Sequence, residues 1–471
     1  MRFSTLALLG LVSTGFASEM ERLMEMKTAE RQAMRSRGDF AKGKHARREK
    51  EKCRNGKAGE YACDNVDMLD FISHEEMGST TREGNDVWGE STPLSIHSSC
   101  VKQYLTLTAH RLDLPDGREF GAVGQTDGTA FIEVRPNGEL TYLGRLPTQT
   151  MSSLWRDMKV IDGYCYIGSE APGHGLQVFD MRKLLSIKLN GRDASGPVTF
   201  NTAMDLTAWF RGFDSSRNIV AHEAAKMIYA VGTRRRTTCQ GGLFMVDVSD
   251  PSNLTSPGPS VRPTLVRPIN GQPDNGPDEK FNGREICFAY NEDTLTIMDV
   301  SDKKAPVIVS RTPYVGAAYT HQGWLVDEND MSFLLLDDEP DEMDGTGAAA
   351  NGRTTTYIFN ITNLAAPVNT GLYQSPVKAI DHNQYVIDGL SYQSNYGSGL
   401  RIVDVGAVES DPSGKGFKQV GFFDVHPEDD AVGGSVEFVG TWSNYPYFKS
   451  GHIIVNSIER GLYSLKYTGK K

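Results

Sequence analysis

Seven stretches of this chain can be laid over one another: "GTAFIEV" from Gly128, "GLQVFDM" from Gly175, "GLFMVDV" from Gly242, "TLTIMDV" from Thr294, "TTYIFNI" from Thr355, "GLRIVDV" from Gly399 and "GLYSLKY" from Gly461. In an extended strand successive side chains alternate sides, so Leu400 and Ile402 face one way and Val403 and Val405 the other. Both faces are apolar, and such a strand must be covered by another layer on each side. The copies are spaced 47, 67, 52, 61, 44 and 62 residues apart, which describes a loop-decorated repeat and not a tight solenoid. The sixth position is Glu133, Asp180, Asp247, Asp299, Asn360, Asp404 or Lys466, mostly short acceptors suited to bonding turn amides at a strand end.

Upstream of two copies, "MKVIDGYCYIGSE" and "QYVIDGLSYQSN" place Asp-Gly between alternating apolar runs, a strong hairpin signal. The turn signals "SDP", "SDKKAP" and "TNLAAP" follow three copies and predict a further returning strand. A four-stranded unit repeated about seven times is an all-β fold, a β-propeller of seven antiparallel blades. Amphipathic helices are nearly lacking after residue 60, which disfavours a parallel α/β sheet. The last copy ends at Tyr467 and the sequence at Lys471, leaving no room for the final outer strand. "NVDMLDFIS", Asn65 to Ser73, has strand character and is expected to pair with the last blade and close the ring.

The opening "MRFSTLALLGLVSTGFAS" has an early arginine, an apolar run from Leu6 to Val12 and small residues at Gly15 and Ala17, the pattern of a secretory signal over residues 1–17. That run is too short to span a bilayer, which needs about 20 residues, and no later segment is longer. Residues 18–58 read as a basic arm, a solvated helix or disordered segment or pro-segment. Within it Glu19 to Lys57 carries thirteen Lys and Arg against seven acids. Arg47-Arg48 is a candidate processing site. The propeller is assigned to residues 59–471. Because the whole chain has net charge −11 and the arm is basic, this body is strongly acidic and unsuited to nucleic acid. Six cysteines in a secreted chain point to disulfides, and fifteen pairings are possible. Cys53 and Cys63, flanking "RNGKAGEYA", are the pair expected; no C-x-x-C motif is present.

The segments "SSLWRDMKVIDGYCYIGSEAPGHGLQVFD", "GREICFAYNEDTLTIMDV", "THQGWL", "DHNQYVIDGLSYQSNYGSGLRIVDV" and "GTWSNYPYFKSGHIIVNSIERGLY" resemble the choice-of-anchor B family with its LVIVD-type repeats. The resemblance runs from about Tyr61 to the C-terminus and implies a secreted or surface-anchored β-propeller. That family has no established enzymatic activity, so the resemblance leaves the function open. The chain departs from the family pattern in an insertion from about Thr92 to Pro115 containing Cys100, in Arg217 where relatives place a histidine, and in "LVRPINGQPDNGPD", which lacks a His-Asp strand.

Inner strands of a propeller line its channel, and their starts here carry Trp155-Arg156-Asp157, Thr320-His321-Gln322, Asp381-His382-Asn383 and Thr441-Trp442-Ser443. Converging polar and aromatic groups make a candidate ligand rim of Trp155, Arg156, Asp157, His321, Asp381, His382 and Trp442. The competing role for them is to tie blades together by buried hydrogen bonds. His321 and His382 with Asp381 suit a divalent ion. The acidic run "LLLDDEPDEMDGTG" offers oxygen ligands for calcium at Asp337, Asp338, Glu339 and Asp341, although its spacing is not that of an EF-hand and a solvated acidic loop would read the same way. Asn253 and Asn360 begin glycosylation sequons.

These features describe a secreted or cell-wall-associated, monomeric binding or scaffold module for an extracellular protein or polysaccharide. The alternative is a secreted hydrolase, calcium-dependent or not, with Asp157 and Asp381 as its carboxylate pair. No G-x-S-x-G, H-E-x-x-H or Walker motif is present.

Overall fold

Asp162-Gly163 and Asp388-Gly389 take positive φ angles of 50° and 75°, and 49° and 75°. Two successive left-handed residues make the turn that matches strand twist. They fold Arg156–Ile161 onto Tyr164–Ser169 and Asn383–Ile387 onto Leu390–Ser394, both antiparallel. The computed structural model describes residues 19–91, 117–189, 194–233, 242–258, 268–269 and 276–469. Cys100, Cys239 and all of the Thr92 to Pro115 insertion lie outside these residues.

Seven antiparallel blades form a β-propeller. Their inner strands, numbered here as blades 1 to 7, are Gly84–Ser91, Arg156–Ile161, Asn218–His222, Pro268–Ile269, Thr320–Leu325, Asn383–Ile387 and Thr441–Tyr445. Each of the seven repeats supplies the third strand of its blade. In blade 3 the described part has three strands, with a bridge from Asp247 to Thr255 at the outer edge.

The two apolar faces of the repeat do separate work. Leu400 and Ile402 join the core between blades 6 and 7, whereas Val403 and Val405 join the core shared with blades 4 and 5. Comparable cores fill the joints between blades 7 and 1, 1 and 2, 2 and 3, and 3 and 4. At the strand ends Asp180, Asp247, Asp299, Asn360 and Asp404 each accept the amide of the residue two positions on, at 2.9 to 3.0 Å. Glu133 instead pairs with Arg118 and Arg135 at 2.9 and 3.0 Å.

Gly461–Tyr467 has Val66–Ser73 on its outer side, antiparallel. Just before it, Tyr61–Asp64 adds to the outer strand of blade 6, Lys418–Phe423. Cys53 and Cys63 are disulfide-bonded, while the thiols of Cys165 and Cys287 are buried.

The basic arm departs from the solvated reading. Its first part is a helix, α1 (Glu19–Arg37), with Leu23, Lys27, Arg31 and Met34 buried. Spacings of four, four and three residues put these side chains on one stripe. The long stems of Lys27 and Arg31 cover apolar surface that average composition does not register. Farther on, Arg48 and Glu51 bridge to Phe71 and Met68, and Arg47 bonds the carbonyl of Leu140 at 2.6 Å.

Phe71 is 1% exposed, with its ring centroid 4.6 Å from that of Tyr463. Phe71→Ala is expected to destabilise the protein by about 3–5 kcal/mol, the cost of a large core truncation. A urea midpoint unchanged by the substitution would show that Val66–Ser73 does not hold the ring together.

Candidate functional site

All the inner strands run away from the end of the ring on which α1 lies, so their side chains fall into layers along a central cavity. The cavity encloses about 900 Å³ of empty space, open solvent at its mouth included. Nearest α1 are Trp155, Arg217, His321, His382 and Trp442, followed by Asp86, Asp157, Asn218, Gln322 and Asn383. Trp88, Lys159, Trp324 and Tyr385 come next, with the exposed Glu223 beyond. Between the second and third of these layers the alternation of a strand produces the order, because residues two apart share a face, as in Asp86 and Trp88, Asp157 and Lys159, Gln322 and Trp324, and Asn383 and Tyr385.

At the α1 end four of the predicted rim residues, Trp155, His321, His382 and Trp442, come together. The rings of Trp155 and Trp442 lie 6.3 Å apart, those of His321 and His382 4.4 Å, and those of His382 and Trp442 5.0 Å. His321 Nδ1 lies 2.7 Å from the carbonyl of His382, and His382 Nδ1 lies 2.6 Å from that of Trp442. These bonds join blade 5 to 6 and blade 6 to 7. Arg156 donates to the carbonyl of Gln125 at 3.1 Å and lies 3.0 Å from His174 Nε2, joining blades 1 and 2. Arg217, standing where a histidine was expected, places its guanidinium 5.3 Å from the Trp155 ring and 5.6 Å from that of Tyr319.

Into this end α1 inserts Lys27. Its ammonium bonds Glu339, and the centroids of Phe438, Trp442, Tyr396 and Trp155 lie 5.0, 5.0, 5.5 and 5.7 Å away. Aromatic faces attract a cation through their quadrupoles, more strongly where water is excluded. Tyr396 donates its hydroxyl to the same carboxylate at 2.6 Å. α1 is further fixed by Arg35, which grips Glu83 through two bonds of 2.7 and 2.8 Å.

Asp381 does not line the cavity or meet the two histidines as their carboxylate. It accepts from the amide of Thr355 at 3.3 Å. Burial, then repulsion from Asp338, pushes its carboxyl well above the usual range. Glu339 faces the Nε2 atoms of both histidines, 3.4 Å from that of His382 and 3.7 Å from that of His321, while Asp337 lies 3.3 Å from His321 Nδ1. The run containing it is a buried segment and not a solvated loop. Asp337 accepts the Gln322 amide at 2.9 Å, Asp338 the amides of Ala318 and Tyr319 at 2.9 and 2.6 Å, and Asp341 the Tyr357 hydroxyl at 2.8 Å. Of the two sequons, Asn253 is exposed and Asn360 half-buried.

Asp157 lies mid-cavity, and its charged neighbours are Lys159 at 2.6 Å and Asp86. It also accepts from the amide of Ile219 and the side chain of Asn218 at 2.9 and 3.1 Å. Lys159 lies 3.7 Å from Asp86 and 4.4 Å from the Trp88 ring centroid. Burial raises both carboxyls, but at Asp157 the Lys159 charge and these hydrogen bonds outweigh it and hold the pKa low. Asp86, which keeps the shared proton, is pushed up to about 8 by burial and by the charge of Asp157. Lys27, Asp86, Lys159 and the role of Glu339 were missed from sequence. The α1 stripe was a legible signal, as was the two-residue step from Asp86 to Trp88 and from Asp157 to Lys159.

The Asp86 proton has a consequence for stability. An unfolded aspartate titrates near ~3.9, so the folded state binds the extra proton between about pH 4 and 8, and this contribution falls as pH rises across that window. The low pKa of Asp157 acts in the opposite sense, and only in the acid range. Asp86→Asn keeps a donor toward Asp157 without a titrating proton. The melting temperature of this variant, relative to the parent protein, is expected to rise from pH 5 to 8 and then level off. A difference independent of pH would overturn the shared-proton assignment.

A family model described as LVIVD repeat matches residues 238–258 and 286–312. No curated protein sequence matches the chain. Among solved structures, hydrazine synthase of Kuenenia stuttgartiensis is similar over 76% of this chain and 94% of its own, at 10% identity and a TM-score of 0.47. The β-propeller domain of Cps50 (Swd1) of Myceliophteria thermophila is similar over 74% and 93%, at 11% identity and a TM-score of 0.42. The seven-bladed ring and the matched repeats together support an LVIVD-repeat β-propeller.

Proposed function

We propose that the protein is a secreted binding or scaffold module of the choice-of-anchor B type, whose cavity receives an extracellular polysaccharide. The observation that carries this reading is the layered wall of the cavity. Trp88, Trp324 and Tyr385 form an aromatic collar over Asp86, Asp157, Asn218, Gln322 and Asn383. Aromatic faces suit the apolar faces of sugar rings, and the polar layer beneath offers partners for hydroxyls. A disulfide between Cys53 and Cys63 fits an oxidising compartment. Among the described residues no helix is long and apolar enough to cross a membrane. A hydrolase working through Asp157 and Asp381 is not favoured, because Asp381 is turned to the Thr355 amide and, of the two, Asp157 alone lines the cavity.

The test is retention of the protein on a panel of insoluble extracellular polysaccharides, with Trp88→Ala alongside. Truncating a central aromatic anchor is expected to weaken binding by about 2 kcal/mol, or about 30-fold. Equal retention of the variant would place the ligand elsewhere. Failure on every polysaccharide, with capture of an extracellular protein instead, would change the ligand class.

A further inference from the structure

We propose that His321, Glu339 and His382 form a binding site for a divalent transition metal of the zinc class, and that Lys27 of α1 is the cation that competes for it. The site is independent of what the rest of the cavity binds. One ligand atom from each of the three residues can be chosen so that all lie within 4.8 Å of one another. The separations of 3.4 Å from His382 Nε2 to Glu339 Oε1, and 3.7 Å from His321 Nε2 to Glu339 Oε2, are informative. Two ligands of a tetrahedral zinc ion, each about 2.0–2.2 Å from the metal, stand about 3.4 Å apart.

The hydrogen bonds of the two imidazoles support the same assignment. A backbone carbonyl only accepts, so His321 Nδ1 and His382 Nδ1, at 2.7 and 2.6 Å from carbonyls, carry the protons. In the neutral rings this leaves Nε2 as the ligating atom, directed toward Glu339. Metal-binding histidines are typically oriented by an outer bond of this kind. The three residues come from blades 5 and 6, are at most 4% exposed and are walled by Trp442 and Tyr396. Three protein ligands leave a fourth position for an exchangeable group, the arrangement of zinc sites that are not purely structural.

Lys27 supplies the competing charge. Its ammonium sits on Glu339 Oε1, the oxygen that His382 Nε2 approaches. An ammonium and a metal ion at that oxygen would repel one another across a buried space. Metal uptake therefore requires Lys27 to move off Glu339, and removing its charge should favour uptake.

The experiment uses the full chain, stripped with chelator and titrated with zinc by calorimetry and with cobalt as a spectroscopic probe. One equivalent is expected in Lys27→Met, bound at least about 10-fold more tightly than by the parent protein, with the intense visible bands of tetrahedral cobalt. Zinc should raise the melting temperature of Lys27→Met more than that of the parent. Lys27→Met with Glu339→Gln removes both buried charges at nearly constant volume and should lose zinc binding by about 100-fold or more. Zinc uptake by Lys27→Met but not by the parent protein supports the proposal, with Lys27 as a full competitor. No uptake by either protein overturns it, and so does equal uptake by Lys27→Met and the double variant.

Discussion

A strand buried on both faces cannot lie in a sheet with a wet side, and the repeat strand of each blade is of this kind. Each blade must therefore be covered twice, and a closed ring is the arrangement in which every blade serves as its neighbours' cover. The cores at the joints show this division residue by residue, with Leu400 and Ile402 serving one joint and Val403 and Val405 the other. The N-terminal strands Tyr61–Asp64 and Val66–Ser73 lie along the outer edges of blades 6 and 7, so the segment joining them crosses a joint between blades.

The same ring forces polar groups inward. Inner strands have no sheet neighbour on the channel side, and groups there must find partners across blades. His321 and His382 do so through the carbonyls of the next blade, and Asp157 through the Ile219 amide of blade 3. Tying blades together and preparing a site are consequently one arrangement. A histidine fixed by its Nδ1 bond presents Nε2 in a set direction, and an aspartate fixed by an amide presents its other oxygen to Lys159. Satisfied networks of this kind hold their members in one geometry, which is the condition for selective binding.

What was legible in the sequence was local. The repeat, the Asp-Gly turns and the acceptor at the sixth repeat position each depend on residues within a few positions of one another, and the blades follow from them. Pairings between blades were not legible. Asp381 adjoins His382 in sequence, yet the backbone turns it toward Thr355, and Glu339 of the preceding blade faces the imidazoles. The acidic run resembled a solvated loop because composition cannot register Tyr314, Tyr357 and backbone amides arriving from elsewhere to receive its charges. The arm misled for a related reason. An average over α1 is dominated by its exposed charges, whereas four stripe positions determine where the helix packs.

That packing determines which way the ring faces. Burying an ammonium with a carboxylate seldom adds net stability, since desolvation offsets most of the attraction. An apolar residue at position 27 would cover the Trp155, Tyr396, Phe438 and Trp442 rings at least as well. What the Lys27–Glu339 pair supplies instead is position: with Leu23, one turn earlier, in its place the Glu339 carboxylate would be buried without the ammonium. With α1 held in register, the end of the cavity beside His321 and His382 is covered by the chain itself. Access for a large ligand is then left to the far end, where Trp88 lines the wall and Glu223 is exposed. The proposed cation site beneath α1 and the proposed ligand site at the collar thus lie at opposite ends of one cavity, joined by the Asp86, Asp157 and Lys159 cluster between them.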